Sequence, residues 1–79
     1  GNLVGASEFL GRYLRWAYQQ GRPTAIEAEV HLALAEIYSA MGFPEPAEEQ
    51  KKAGEALQKR LEERARSREA IALEILGKP

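Results

Sequence analysis

The chain has 79 residues, 44% of them hydrophobic and 29% charged, which indicates one small domain with a core rather than a disordered segment. It contains no cysteine, so disulfides and thiolate chemistry are excluded, and its net charge of −1 gives no overall field that would attract nucleic acid or an anionic membrane. No apolar run approaches the roughly 18 residues of a membrane span.

The composition predicts an all-α fold. Alanine (13), glutamate (12) and leucine (9) are abundant, and all three are strong helix formers. Valine, isoleucine and threonine, which favour strands, together number seven. We therefore expect a small up-and-down bundle of three helices, which forms a single domain over residues 1–79. Because the chain begins with Gly1 and its only methionine is Met41, we also expect it to be a fragment of a larger protein.

The first helix is predicted over residues 7–20. The hydroxyl of Ser7 suits the N-cap position, and the segment Gly21-Arg22-Pro23 predicts a turn. Apolar residues recur at helical spacing and predict a broad face that packs in the core: Phe9, Leu10, Tyr13, Leu14, Trp16 and Ala17.

The second helix is predicted over residues 24–41. Thr24 followed three residues later by Glu27 is a capping-box pattern, and Gly42 suits a left-handed position after the last turn, with Pro44 confirming the stop. The apolar stripe of this helix is Ile26, Val30, Ala33, Leu34, Ile37, Tyr38 and Met41. Across the whole chain, the residues expected to be most buried are Leu14, Leu34, Ile37, Tyr38 and Leu57.

The third helix is predicted over residues 46–76, with Pro46 at its first position. It is longer than the other two, and a charged stretch over residues 58–69 separates its first part from a dense apolar patch at 70–76. A straight helix carries this patch beyond the bundle. The alternative is a bend near Ser67, after which the patch folds back as a short fourth helix.

Residues 28–61 resemble a single tetratricopeptide repeat, a helix–turn–helix unit of 34 residues. The residues that carry the resemblance are Leu34, Ala35, Tyr38, Gly42, Ala47 and Gly54. Three positions depart from the family pattern, namely His31, Lys51 and Lys59. The resemblance implies a helical scaffold that binds other proteins; the alternative is that any tight pair of antiparallel helices places small residues at these positions.

No catalytic residue, cofactor site or metal site is predicted. His31 is the only histidine and lies one turn from Glu27, but two ligands do not make a metal site, and a pairing of His31 with Glu27 is the better interpretation. Serines 7, 39 and 67 lack a nucleophile motif, and no glycine-rich phosphate loop is present.

Two functions remain, both of them binding functions. Arg12, Arg15 and Arg22, with neighbouring aromatic residues, suggest a small helical domain that binds RNA or DNA, although glutamates are interleaved with the later basic residues and count against it. The preferred hypothesis is a non-catalytic module for protein–protein interaction or assembly, whose partner is another protein or a second copy of the chain. Its predicted contact residues are Ile71, Leu73, Ile75 and Leu76.

Overall fold

The structure is a computed structural model that describes residues 2–21 and 23–77. Over these residues it is all-helical, with three helices in an up-and-down arrangement and no strand: α1 (Leu3–Gln20), α2 (Ala25–Ala40) and α3 (Pro44–Leu76). The predicted fold class is confirmed. Arg22, one of the three arginines singled out from the sequence, lies outside the described residues.

The helix α1 begins four residues earlier than predicted. Asn2 is its N-cap, and the side-chain Oδ1 of this residue accepts a hydrogen bond of 2.9 Å from the backbone N–H of Gly5. Ser7 instead lies buried inside the helix, where its hydroxyl donates to the carbonyl of Val4 at 2.8 Å. The prediction that Ser7 caps the helix was wrong because Asn2 caps equally well and no helix breaker separates the two.

The start of α2 is as the sequence predicts. The hydroxyl of Thr24 accepts a hydrogen bond from the backbone N–H of Ile26 at 3.2 Å, and the Glu27 carboxylate accepts one from the backbone N–H of Thr24 at 2.6 Å. The capping box is complete. These contacts satisfy amide groups that the first turn of a helix otherwise leaves unpaired.

The end of α2 is a Schellman-type turn. The N–H of Gly42 donates to the carbonyl of Ser39 at 3.1 Å, and the N–H of Phe43 donates to the carbonyl of Tyr38 at 2.9 Å. Gly42 has a φ of 85°, in the left-handed region, as predicted.

Replacing Gly42 by valine is expected to destabilise the fold by more than about 1 kcal/mol, because a β-branched residue pays for positive φ with steric strain. A Cβ at Gly42 would meet no atom within 4 Å, so the loss would come from the backbone and not from a clash. Gly11→Ala is the control: this site is equally open but helical, and the change should stabilise by up to about 1 kcal/mol. Urea unfolding measures both, and equal stability of wild type and Gly42→Val would contradict the prediction.

The helix α3 begins at Pro44, not Pro46, and runs without interruption for 33 residues. Pro44 therefore starts α3 rather than merely ending α2. The N–H of the first helical residue has no partner in the helix, so proline, which lacks this N–H, loses no hydrogen bond there. The alternative of a bend at Ser67 and a fourth helix is wrong. No glycine or proline lies between Gly54 and Leu76 to interrupt the helix.

The helix α2 is the centre of the fold. It packs against α1 on one side and α3 on the other, whereas no Cα atom of α1 lies within 8 Å of one in α3 over the described ranges. The buried apolar residues come from all three helices: Leu14, Ala17, Ala28, Leu34, Ala47 and Leu57. The predicted burial of Leu14, Leu34 and Leu57 is thus confirmed, while Ile37 and Tyr38 are only half-buried and Ile26 is exposed.

Candidate interaction surface

The helix α3 extends far beyond the helix that it packs on. Its 33 residues span about 50 Å, against about 24 Å for the 16 residues of α2. The two helices are antiparallel, so that His31 faces Gln50 and Ala28 faces Gly54. Ala25, the first residue of α2, therefore reaches only to the neighbourhood of Leu57. Every residue from 62 to 77 is exposed, and we call residues 62–76 the overhang.

The predicted contact residues all lie exposed at the far end of this overhang. The exposed fractions are 57% for Ile71, 65% for Leu73, 68% for Ile75 and 82% for Leu76. Four large aliphatic side chains are thus exposed within six residues of a helix; Ile71, Ile75 and Leu76 lie on one side of it, whereas Leu73, two residues from both isoleucines, points to the other side. This cluster is the largest group of exposed aliphatic residues along the described chain.

Ile75 and Leu76 of this cluster continue the face by which α3 contacts α2. Leu57 and Leu61 lie on that face, and steps of three and four residues lead from them through Ala65 and Arg68 to Ala72 and Ile75. Leu57 is buried and Leu61 half-buried, because α2 covers this part of the face. The rest of the same face lacks a covering helix only because the first residue of α2 lies opposite Leu57, so that α2 does not extend alongside the overhang.

The segment between the bundle and the cluster is charged but balanced. Residues 62–69 contain three glutamates and three arginines. Arg66 and Glu62 form an ion pair of 3.7 Å along the helix, and both side chains are mostly exposed. An exposed pair of this kind contributes at most about 0.5 kcal/mol, so the segment is a solvated helix with no net charge.

A second exposed surface lies on α1, where the nucleic-acid hypothesis places its arginines and aromatic residues. Phe9 and Trp16 are 66% and 58% exposed, and with Arg12 and Tyr13 they line a shallow depression. The prediction that Phe9 and Trp16 pack in the core was wrong. Leu14 and Ala17 face α2 instead, and the presence of Arg12 between the two aromatic residues on one stripe was a signal that this side faces solvent.

Polar contacts fix the three helices relative to one another. The Tyr13 hydroxyl donates to Oε1 of Glu27 at 3.0 Å and so joins α1 to α2. The ring of His31 lies between Tyr18 of α1, at 2.8 Å from Nε2, and Oε1 of Gln50 of α3, at 2.7 Å from Nδ1. An amide oxygen only accepts, so Nδ1 of His31 is the donor and Nε2 accepts from the Tyr18 hydroxyl in the neutral ring.

The predicted pairing of His31 with Glu27 was therefore wrong. The Glu27 carboxylate is occupied by Thr24 and Tyr13, and His31 connects α1 with α3. Over residues 2–21 and 23–77 no three histidine, cysteine or acidic side chains are placed to hold a metal ion. The arrangement of these groups is one of structural hydrogen bonds.

Glu27 makes the fold dependent on pH. Hydrogen bonds from the hydroxyl and backbone N–H of Thr24 hold the pKa of Glu27 below its ordinary value of 4.5, and the bond from Tyr13 acts in the same direction. A carboxyl group whose pKa is lower in the folded state stabilises the fold above its unfolded pKa, and this stabilisation is lost as the pH falls through the folded pKa. Glu27→Gln should therefore melt at a lower temperature than wild type at pH 7, and the difference should shrink below pH 4.5. A difference that stays constant down to pH 3 would contradict this.

An open groove lies between α2 and the first turns of α3. Its volume is about 800 Å³, and small residues form much of its wall, including Ala35, Ser39, Ala40 and Ala47. Glu36, Glu48 and Lys51 stand at its edges. The lining of the groove contains no histidine.

No protein-family model, curated protein or solved structure matches this chain. The resemblance of residues 28–61 to a tetratricopeptide repeat thus depends on the residues named for it and stays a prediction. Among the helices of the described ranges, none is both long and apolar enough to cross a membrane.

Proposed function

We propose that this chain is a non-catalytic module for protein–protein interaction or assembly, and that the end of α3 is its contact surface. The observation that carries the proposal is the exposure of Ile71, Leu73, Ile75 and Leu76 on a helix that extends beyond its own bundle. Contiguous exposed apolar residues generally mark contact sites. The position of Ile75 and Leu76 on the α2-facing side of α3 favours a helix as the binding partner, packed as α2 is packed.

The energetics support a contact of this size. Burying a leucine or isoleucine side chain fully contributes about 1.5–3 kcal/mol, so the three on one side of the helix, Ile71, Ile75 and Leu76, gain roughly 4.5–9 kcal/mol. The cost of association is of comparable size, about 4–15 kcal/mol. The cluster is therefore large enough to support binding when a complementary surface adds its own apolar residues. It is too small to bind tightly to a surface that adds none.

The rest of the fold serves as the scaffold in this proposal. The α2–α3 hairpin is held by close packing at Gly54 and by the His31–Gln50 hydrogen bond, and it fixes the direction in which α3 leaves the bundle. A scaffold role is also what the tetratricopeptide-like residues Leu34, Gly42 and Ala47 imply.

Photo-crosslinking tests the proposal. A photoreactive amino acid in place of Leu76 should form a discrete adduct in cells that produce the chain, and the double variant Ile71→Asp/Ile75→Asp should abolish it. The same photoreactive group in place of Glu36, which is exposed on α2, is the control for chance encounters. Adduct formation from position 76 that is no stronger than from position 36, or that survives the double variant, would refute the proposal.

Single-stranded nucleic acid is a second candidate ligand, favoured by the surface on α1. Exposed Phe9 and Trp16 flank Arg12, and bases stack on aromatic rings while arginine contacts phosphate. Arg15 is also exposed on α1, although Glu8 lies beside it. Titration of single-stranded RNA should quench Trp16 fluorescence, and the affinity should fall as salt rises. No quenching at low salt would exclude this candidate.

A further inference from the structure

We propose that the partner of the overhang is a second copy of the same chain, bound antiparallel about a two-fold axis that passes between Arg68 and Glu69. This inference depends on the proposed function, because it names the occupant of the surface described there. The two overhangs lie side by side, and each covers the face of the other copy's α3 that α2 does not reach. A two-fold dimer is the simplest closed assembly, since the same patch serves on both copies.

The apolar residues of the overhang are complementary to themselves in this arrangement. An axis between residues 68 and 69 places Leu61 beside Ile75 and Leu76 of the second copy, and Ala65 beside its Ala72. Leu61 is half-buried, because α2 begins near Leu57 and covers Leu61 only in part, and its exposed part can contact the cluster of the second copy. Small residues alternate with large ones along this seam, as close helix packing requires.

The charges favour the same register. The axis brings together Arg68 and Glu69 from both copies, so that each Arg68 faces the Glu69 of the other chain. The stretch over residues 62–69 has three acidic and three basic residues, so two copies do not repel each other overall. This pattern distinguishes a second copy from an unrelated helix, which has no reason to match a neutral sequence with this order of charges.

One outer member of the cluster is also covered. Ile71 lies beside Arg64 of the second copy, whereas Leu73 points away from the seam. The aliphatic stem of an arginine can cover an apolar side chain while its guanidinium group stays in water. The contact extends over residues 61–76, about 24 Å of helix on each copy, and leaves both bundles at opposite ends of the dimer.

The test is the mass of the purified chain in solution, measured by sedimentation equilibrium over a range of concentrations. Wild type should reach twice 8.8 kDa as the concentration rises. Ile75→Asp/Leu76→Asp should stay at 8.8 kDa with the melting of its bundle retained, because the overhang contacts no other helix. The matched control is Val4→Asp, the same kind of change at an exposed aliphatic residue on α1, which should leave the dimer intact.

Charge exchange tests the register. Arg68→Glu alone gathers four carboxylates at the axis and Glu69→Arg alone gathers four guanidinium groups, so each should weaken dimerisation about tenfold or more. The exchanged variant Arg68→Glu/Glu69→Arg restores two charges of each sign and should dimerise within a few-fold of wild type. A dimer that responds equally to all three variants would overturn the register.

Three further results would overturn the inference. A wild-type chain that remains monomeric at about 1 mM has no affinity of the kind that this interface supplies. A dimer unaffected by Ile75→Asp/Leu76→Asp uses another surface, and a double variant whose bundle unfolds shows that the cluster packs within its own chain. If the wild type is monomeric while position 76 still crosslinks specifically to a different protein, self-association fails and the proposed interaction surface stands.

Discussion

Replacing Leu34 by alanine is expected to destabilise the fold by about 2–5 kcal/mol, enough to abolish folding in a domain of this size. Leu34 is only 2% exposed and is the largest side chain that is this deeply buried in the described chain. It lies on α2, the helix that both α1 and α3 contact. Truncating it removes apolar burial and leaves a cavity at the centre of the structure.

Chemical denaturation of Leu34→Ala, followed by far-ultraviolet circular dichroism, measures the loss. Ile26→Ala is the matched control, because Ile26 is a large aliphatic residue on the same helix but is mostly exposed, and its truncation should change the free energy of unfolding by less than about 0.5 kcal/mol. Equal losses in the two variants would mean that α2 faces its neighbours by a different side.

Local signals in the sequence were sufficient for the elements whose ends are determined by nearby residues. Thr24 and Glu27 complete a capping box by themselves, and Gly42 takes positive φ because the turn after α2 requires it. The unbroken run from Gly54 to Leu76 likewise predicted a continuous α3. The overhang could be predicted as well, because the predicted boundaries give the lengths of the helices and the third is longer than the other two.

The packing side of α1 could not be predicted from spacing alone. Apolar residues cover more than half of the circumference of this helix, so the sequence allows several orientations. In the structure, Ser7 and Ala17 face inward beside Leu14, because small side chains let α1 approach α2 closely. The bulky residues Phe9 and Trp16 are exposed as a consequence of this orientation of α1.

The contacts of His31 also depended on the tertiary fold. Its partners, Tyr18 and Gln50, are 13 and 19 residues away, and they meet only when both flanking helices are packed on α2. The near neighbour Glu27 was the obvious partner by helical spacing, but the capping box and Tyr13 already occupy its carboxylate. The rule that residues four apart on a helix pair with each other failed here, because the capping box at the start of α2 already uses Glu27.

The replacement of Gly54 by leucine should be the most disruptive change in the α2–α3 contact. A Cβ at this position would lie 2.8 Å from Cδ2 of Leu32 and 3.1 Å from the carbonyl oxygen of Ala28. A single methyl group, in Gly54→Ala, requires Leu32 to move, and the gain in helix propensity of up to about 1 kcal/mol partly offsets that cost. A leucine adds three more carbon atoms against the α2 backbone and has to separate the helices.

We therefore expect Gly54→Leu to lose about 3 kcal/mol or more, at or beyond the upper end of the usual cost of overpacking. Ala56→Leu, two residues later on the exposed side of α3, is the control and should change stability by less than about 0.5 kcal/mol. Guanidinium unfolding measures the free energy of unfolding of both variants and of wild type. If Gly54→Leu were as stable as Ala56→Leu, then α2 and α3 would not approach each other at this glycine, and α2 would not begin opposite Leu57. The overhang would then begin at a different residue of α3, and the surface proposed on it would change accordingly.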